Sequence, residues 1–543
     1  MSATVGGPAV PGPTDADPVD DEVAGAVRGG AVNLVGQVAN MALNLGTVVL
    51  VTREYGAAGA GIFFTAVAVF TIVGTVAKLG SETGLVFTIS HDRANERWQD
   101  VGPTIRVALV PVLGLAVVAA LATIGVVGLL TGGGHRSADG TLADVLRAMA
   151  PFLPAFVAVQ VLTGATRGFG DMVCTTRDVN VLRPLLQFVG MAAVALTGRG
   201  LVALGVAWGA PLVLTTFTAA ASLRTLVRRD PVAVADPTPG LGATFWRYAS
   251  VRGFAQTLQT TQDRIGVVMV GAFAGAATAG VFVVVARIIG ALNLVVYAVG
   301  QALNPQIGGL LAAGRTEAVG RVLHRITGWT MLLVWPVAAL LVSHGDVVLG
   351  LFGAEFTEGG GALELLAVAV IVSTAFCHLD NVLLMGGRAW LSLANVGVSL
   401  VVMTVLYAAL TPGGGLMGAA VAWAVGMLAY NIGPWWPVRR AMGVAAFGAE
   451  ALYVAPATLG VFVAASLVRV QFGSGFLATA GAFLVAFLVY VVAVRQYAGP
   501  LRLAGLTAMF LPGRTAGPPD PCTTPGDTGT TVSEIRAARS EVA

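Results

Sequence analysis

The feature that most limits what this chain can fold into is a succession of apolar stretches running almost its whole length. Each is about 20 residues long, enough for a helix rising 1.5 Å per residue to cross the roughly 30 Å hydrocarbon core of a bilayer. They fall near 29–51, 58–80, 104–130, 144–166, 180–198, 200–223, 248–274, 277–303, 322–343, 361–386, 389–411, 415–437, 449–469 and 474–494. Only Gly198-Arg199-Gly200 separates the fifth from the sixth. Hydrophobic residues make up 56% of the 543 positions and charged residues 11%. A soluble domain carries roughly 25% charge, so this chain has too little to cover a water-facing surface of its size. The expected fold is an all-α polytopic membrane protein with about 14 transmembrane helices.

A formal net charge of +3 is too small for a nucleic-acid footprint. Cys174, Cys377 and Cys522 lie far apart and have neither disulfide-framework nor zinc spacing. Residues 1–27, rich in Gly, Pro and Asp with no basic stretch before the first apolar run, read as a disordered cytoplasmic tail rather than a cleaved signal. Residues 496–543 read as a second, largely disordered cytoplasmic tail, with 532–543 able to form a short surface helix. Arginine placement sets the orientation. With the N-terminus inside, the inner loops and helix ends collect most arginines, among them Arg93, Arg97, Arg106, Arg167, Arg177, Arg183, Arg224, Arg439 and Arg440. The outer side keeps Arg53, Arg136, Arg147, Arg199 and Arg469, and the outer loop 344–360 carries Asp346, Glu355 and Glu358. The bias places both termini in the cytoplasm and requires an even number of helices.

An internal repeat divides the chain. The octet Gly56-Ala57-Ala58-Gly59-Ala60-Gly61-Ile62-Phe63 returns as Gly275-Ala276-Ala277-Thr278-Ala279-Gly280-Val281-Phe282. At the same offset Asn33, Gln37, Asn40 and Asn44 align with Arg252, Gln256, Gln259 and Asp263. Spacings of 4, 3 and 4 put each set on one helical face. The six helices preceding the second copy imply a parallel duplication about an axis along the membrane normal, and transporters built this way bind substrate between the halves. The resulting parts are an N-terminal six-helix bundle at 28–224, a cytoplasmic linker at 225–246, a C-terminal six-helix bundle at 247–440 and two extra helices at 441–495.

Charges inside a membrane are costly, roughly 2.5–3.5 kcal/mol each at a helix centre on insertion scales, and face a cavity or a partner. Asp263 and Arg264 lie about ten residues from the outer end of helix seven and Arg287 about as far along helix eight, which puts them at one depth. Two readings follow: a site for an anionic ligand and a proton, or an Asp263–Arg287 ion pair that locks two helices together. The amide stripe likewise lines a wet cavity or glues helices through hydrogen bonds. Lys78 and Glu82 read as an interfacial i,i+4 pair, and Arg53 as a snorkelling side chain. In helix ten, Cys377 and His378 lack further metal ligands, while Asp380 and Asn381 read as facing the cavity. Metal binding is not expected. The glycine runs 132–134, 359–361 and 413–415 carry no phosphate-loop lysine, and no catalytic signature or ATP-binding domain appears. The chain reads as no enzyme and as having no cofactor, so active transport would draw on an ion gradient, with H+ or Na+ the candidate coupling ions.

Three stretches resemble the multidrug, oligosaccharidyl-lipid and polysaccharide exporter superfamily, and within it the polysaccharide transporter branch. They are REYGAAGAGIFFTAVAVFTIVGTVAKLGSETGL (Arg53 to Leu85), QDRIGVVMVGAFAGAATAGVFVVVARI (Gln262 to Ile288) continued by QALNPQIGGLLAAG (Gln301 to Gly314), and VLGLFGAEFTEGG (Val348 to Gly360). The resemblance covers roughly residues 28–440. It implies a V-shaped pair of six-helix bundles, alternating access, and transport of a polyprenyl-diphosphate-linked saccharide across the bacterial cytoplasmic membrane, with glycan polymerases or glycosyltransferases as candidate partners besides the bilayer. Asp263 and Arg287 fall on motif positions. Two departures bear on the cargo. Drug exporters of the superfamily often carry an acid in helix one, where this chain has Asn44. Lipid II flippases resemble a variant with several cavity arginines in the first half, whereas Arg28 and Arg53 here bracket helix one. The expected function is a flippase of lipid-linked oligosaccharide or polysaccharide precursor. The alternatives are a cation-coupled exporter of small organic molecules, a lipid II-type flippase, and a non-transporting scaffold for glycan assembly.

Overall fold

The structure, a computed structural model, describes residues 18–130, 141–230, 236, 238–443, 448, 450–473 and 476–501. The glycine run 132–134, Arg136, Cys522, the surface helix expected at 532–543 and most of both tails lie outside the described residues, as does the side chain of Asn33. Among the described residues every regular element is helical. A backbone in hydrocarbon must satisfy its own hydrogen bonds, and a helix does this within one segment even where Val and Ile abound.

Helix α1 (Pro18–Ala77) turns at Gly56, α2 (Ser81–Ala94) follows a short break, and α3 (Trp98–Leu130) crosses next. Helix α4 (Leu142–Met149) runs through a 3-10 turn into α5 (Leu153–Gly168). Helix α6 (Met172–Thr175) runs through a π-helix (Thr176–Leu182) into α7 (Arg183–Leu196), and α8 (Leu201–Val227) ends the first half. The second half holds α9 (Leu241–Ala274), α10 (Ala276–Ala312), α11 (Thr316–Gly350), α12 (Gly360–Thr374), α13 (Leu379–Met385) and α14 (Ala389–Ile432), which turns at Gly415. Helices α15 (Trp435–Met442), α16 (Glu450–Phe472) and α17 (Phe476–Leu501) complete the chain. Ten stretches are long and apolar enough to cross a membrane; two of them, at Gly56 and Gly415, double back and hold two crossings apiece. With α9 and α17 the described residues make fourteen crossings.

The duplication is visible in backbone geometry. Gly56 (φ 64, ψ −174) and its repeat partner Gly275 (φ 87, ψ 170) adopt the same conformation, open to glycine at little cost. Five residues on, Gly61 packs on the Ala276 carbonyl and Gly280 on the Ala57 carbonyl, so closely that a Cβ at either glycine would collide with the oxygen. Ala276 is the repeat partner of Ala57, as Gly280 is of Gly61. The two contacts are therefore one contact seen twice, as a two-fold axis between the halves demands. Around it Ala57 N donates to Glu355 Oε1 at 2.7 Å, and Arg53 donates from Nε and Nη2 to the Leu351 carbonyl at 3.0 and 2.9 Å. Arg53 thus does not snorkel as expected: it grips the opposite half.

At the far end of the bundle the halves meet again, through α2 and the start of α9. The backbones at Gly80 and Gly253 touch with no room for a Cβ, and the Phe87 and Tyr248 rings stack at 4.4 Å. Asp100 accepts from Thr238 N at 2.7 Å and Thr238 Oγ1 at 2.6 Å, which clips the connection between halves onto α3. Lys78 and Glu82 pair at 2.6 Å as expected, but the pair is buried rather than interfacial, and Arg167 is a third member. Burial disfavours the Glu82 carboxylate, yet Lys78 and Arg167 outweigh it and hold the carboxyl below its ordinary range. Helices α16 and α17 pack on α11 through Leu340, Val461, Ala465 and Ala482, and Arg469 grips Asp346 with two bonds of 2.8 Å.

Three local expectations change. Helix α1 already begins at Pro18, inside the segment 1–27 read as disordered. Helix α2 fills residues read as a loop, because its mixed polar surface lowers its hydropathy below that of a span. The fifth crossing starts at Met172 rather than 180, so Arg177 and Arg183 lie within it instead of at its inner end.

Candidate functional site

Two helices carry the polar stripes, and packing fixes their rotation. Helix α9 is held against α10 and α14 by Val270, Phe282, Met403 and Tyr407, with Gly266 admitting the Tyr407 hydroxyl. This leaves Gln259 and Asp263 exposed and Gln256 and Arg264 partly so. Asp263 is exposed although it lies eleven residues inside the Ala274 end of α9. Gln256 Oε1 has no hydrogen-bond partner. On α1, Asn44 is exposed and Gln37 and Asn40 are partly buried; Asn44 Nδ2 bonds Asn40 through its carbonyl at 2.8 Å and through Oδ1.

The charged residues divide into two groups. Arg264 is close enough to interact with both Asp263 and Arg287. The Asp263–Arg287 ion pair offered by the sequence is not formed: among the described residues no ion pair within 4.0 Å involves either. Arg287 instead faces the Phe64 ring of the other half, 5.9 Å from its centroid. Such a cation–π contact needs no counter-ion and leaves the guanidinium edges free to donate.

The second group is acidic. Asp380, just inside α13, accepts from Ser392 Oγ at 2.9 Å, while its Oδ1 is buried and unpartnered. The Tyr430 hydroxyl lies near both Asp380 and Asp263, and Asn395 holds the Tyr430 carbonyl at 2.7 Å. Tyr430, Ser392 and Asn395 were not singled out by the sequence. Their signal was a set of polar side chains in an otherwise apolar α14, hidden by its high overall hydropathy. His378 bonds Thr330 Oγ1 at 2.9 Å and is buried. Among the described residues no group of three or more His, Cys, Asp or Glu side chains is placed to hold a metal ion.

Arg252 stands apart. It lies about 33 Å along α9 from Ala274, next to the Gly80–Gly253 contact rather than near Asp263. A face shared over many turns does not place residues at one depth.

No known family profile matches the chain, and no curated protein matches it in sequence. Solved structures match its fold. A lipid II flippase, MurJ, in an inward closed conformation superposes with a TM-score of 0.69 over 88% of this chain and 100% of its own, at 10% identity. An inward-facing multidrug resistance MATE transporter of the MOP superfamily gives 0.60 over 76% and 98%, at 18% identity. An outward-facing MATE transporter gives 0.53 over 77% and 95%, at 17% identity. The chain therefore has the fold of that transporter superfamily, in agreement with the sequence resemblance.

Proposed function

We propose that this multi-pass membrane protein, with a transporter and flippase fold, moves a lipid-linked saccharide precursor across the bacterial cytoplasmic membrane by alternating access. The observation that carries the reading is Arg287 and Arg264, two neighbouring, partly buried guanidiniums that make no hydrogen bond or ion pair within 4.0 Å among the described residues. An unpaired buried cation is expensive, and a cargo that brings its own negative charge removes the cost. A diphosphate does so, and arginine binds it with paired hydrogen bonds. The amides of Asn40, Asn44, Gln256 and Gln259 supply donors and acceptors for sugar hydroxyls. An organic cation would meet repulsion from the same arginines.

In this reading Asp263, Asp380 and Tyr430 take the coupling ion, H+ or Na+. The unpartnered Asp380 Oδ1 and the proximity of Tyr430 to both carboxylates favour them over any other group. That acidic cluster is also what a cation-coupled exporter of small organic molecules would use, and it keeps that second reading in view. A lipid II-type cargo is a special case of the first. The test is mass spectrometry of polyprenyl-diphosphate-linked glycans in cells depleted of the protein. One defined lipid-linked glycan should accumulate and so name the cargo; an unchanged lipid profile with new sensitivity to small toxic cations would replace the flippase by the exporter.

A further inference from the structure

The two helices outside the duplication reach the Gly56 end through one side chain. Helix α11 is not continuous: His344 sits at φ −131 and ψ 20, outside the helical region, six residues before the helix ends at Gly350. A break of this kind turns carbonyls of the preceding turn away from their helical donors. Arg469 of α16 supplies a donor there. Its Nη1 donates to the Ser343 carbonyl, just before the break. Nη1 and Nη2 also donate to the two Asp346 carboxylate oxygens, just after it, at 2.8 Å each. One guanidinium therefore spans the break and fixes the angle between the two pieces of α11. Helix α17 covers the same place: Phe483 meets the ring of the fully buried His344 edge-on at 6.4 Å.

Beyond the break lies the segment that holds the opposite half. Leu351, seven residues from His344 and about 10 Å along the helix, presents the carbonyl that Arg53 grips. Glu355 follows in the 3-10 turn Ala354–Gly359 and accepts from Ala57 N. The connection is short, and Gly359 packs on Val281 and Val285 of α10 with little room for a Cβ. A rotation of the α11 end about His344 shifts the Leu351 carbonyl relative to the Arg53 guanidinium, and a hydrogen bond weakens steeply once its angle is lost. Apolar packing of Leu340 with Val461, Ala465 and Ala482 already attaches the extra helices to α11. Arg469 acts at a different point, the break itself.

We propose that Arg469 is a positioning residue for closure at the Gly56 end. By setting the angle of α11 at His344, it places the Leu351 carbonyl for Arg53 and the Glu355 carboxylate for Ala57 N. Helices α16 and α17 thereby bias the contact between the halves through α11. The inference concerns how that contact is held and is independent of the cargo.

The test is a double-mutant cycle on the purified full-length protein, with the native cysteines replaced by serine and the buried Thr52→Cys beside Arg53 as a maleimide probe. R469Q should raise the reaction rate about threefold, the effect of losing one well-aligned ion pair. R469K keeps the charge but not the paired bonds, and its rate should fall between those of R469Q and the wild type. On the R53A background R469Q should add little, because the bond it positions is already gone. An arginine that only attaches α16 would lower the melting temperature and leave the Thr52→Cys rate unchanged. That result, or the same threefold increase on both backgrounds, would overturn the coupling and leave the proposed transport standing. R469K carries the same comparison if R469Q does not fold.

Discussion

The two ends at which the halves meet are built differently. At the Gly56 end the contact obeys the two-fold symmetry of the duplication: Gly61 meets Ala276 and Gly280 meets Ala57. At the Gly80 end the symmetry is gone. The first half breaks at Leu79-Gly80 and restarts as α2, while the matching part of the second half, α10, runs unbroken to Ala312. Only one half therefore sends a separate helix across, and α2 meets α9 through ring stacking and a pocket of about 470 Å³ lined by Phe87, His91, Asp92, Asp100, Arg247 and Tyr248. Both ends thus hold a glycine backbone contact that admits no added atom, Gly61 on Ala276 at one and Gly80 on Gly253 at the other, but only the first is repeated by the symmetry. The Gly80 end adds a pocket lined by acidic and basic side chains of both halves.

The most damaging way to probe that difference is to fill the symmetric contact. Gly61→Leu and Gly280→Leu each force a side chain into a carbonyl oxygen. Overpacking of this kind costs about 1–3 kcal/mol and more where backbone must move. Both variants should lose cargo flipping, read as accumulation of the lipid-linked glycan, and they should lose it equally. A tolerated G280L beside an inactive G61L would break the two-fold account of this end.

The symmetric end is legible in the sequence, because close helix packing needs small residues at fixed places and the octet repeats them. The other end is not. Helix α2 mixes Glu82, His91 and Arg93 with apolar residues, and its partner on α9 lies more than 150 positions away, so neither length nor hydropathy marks it. The candidate site was half legible. Asp263, Arg264 and Arg287 stood out as charges amid apolar sequence. Arg177 and Arg183 were placed at a helix end because the span containing them starts eight residues earlier than the apolar run suggested, and a π-helix breaks the regular period there. The Asp263–Arg287 pair failed because equal depth on neighbouring helices does not fix which way two side chains point. Arg53 failed for a related reason: an arginine at a helix end looks alike to sequence whether it meets water or the Leu351 carbonyl.

A smaller effect should follow from loosening the charged rim of the Gly56 end. Arg53→Ala removes two hydrogen bonds from a charged donor to the Leu351 carbonyl. Bonds to charged groups contribute about 1.5–3 kcal/mol, and 1.4 kcal/mol is a tenfold shift in population. With the native cysteines replaced by serine, a Thr52→Cys probe, buried beside Arg53, should react with a membrane-impermeant maleimide about tenfold faster once Arg53 is gone. An unchanged rate would mean that the glycine contact alone holds this end.

The gentlest change distinguishes the two ends by pH. Helix α2 lies beyond the spanning part of its helix, and there burial raises the Asp92 carboxyl above its ordinary range; Arg97, 4.0 Å away, lowers it, Asp100 raises it further and His91 lowers it. Arg247 lines the same pocket from α9. A carboxyl whose value is raised in the closed contact binds its proton more tightly there than in water. Closure at the Gly80 end is thus favoured at acid pH and loses that contribution as pH rises through the raised value. Spin labels at the exposed Ser90 and Val251 should report a greater closed fraction, relative to open, at the acid end of the range. Asp92→Asn removes the titration, so its closed fraction should not change with pH. A pH dependence that persists in D92N would assign it to another group of the pocket. At the Gly56 end, D92N should behave as the wild type at every pH.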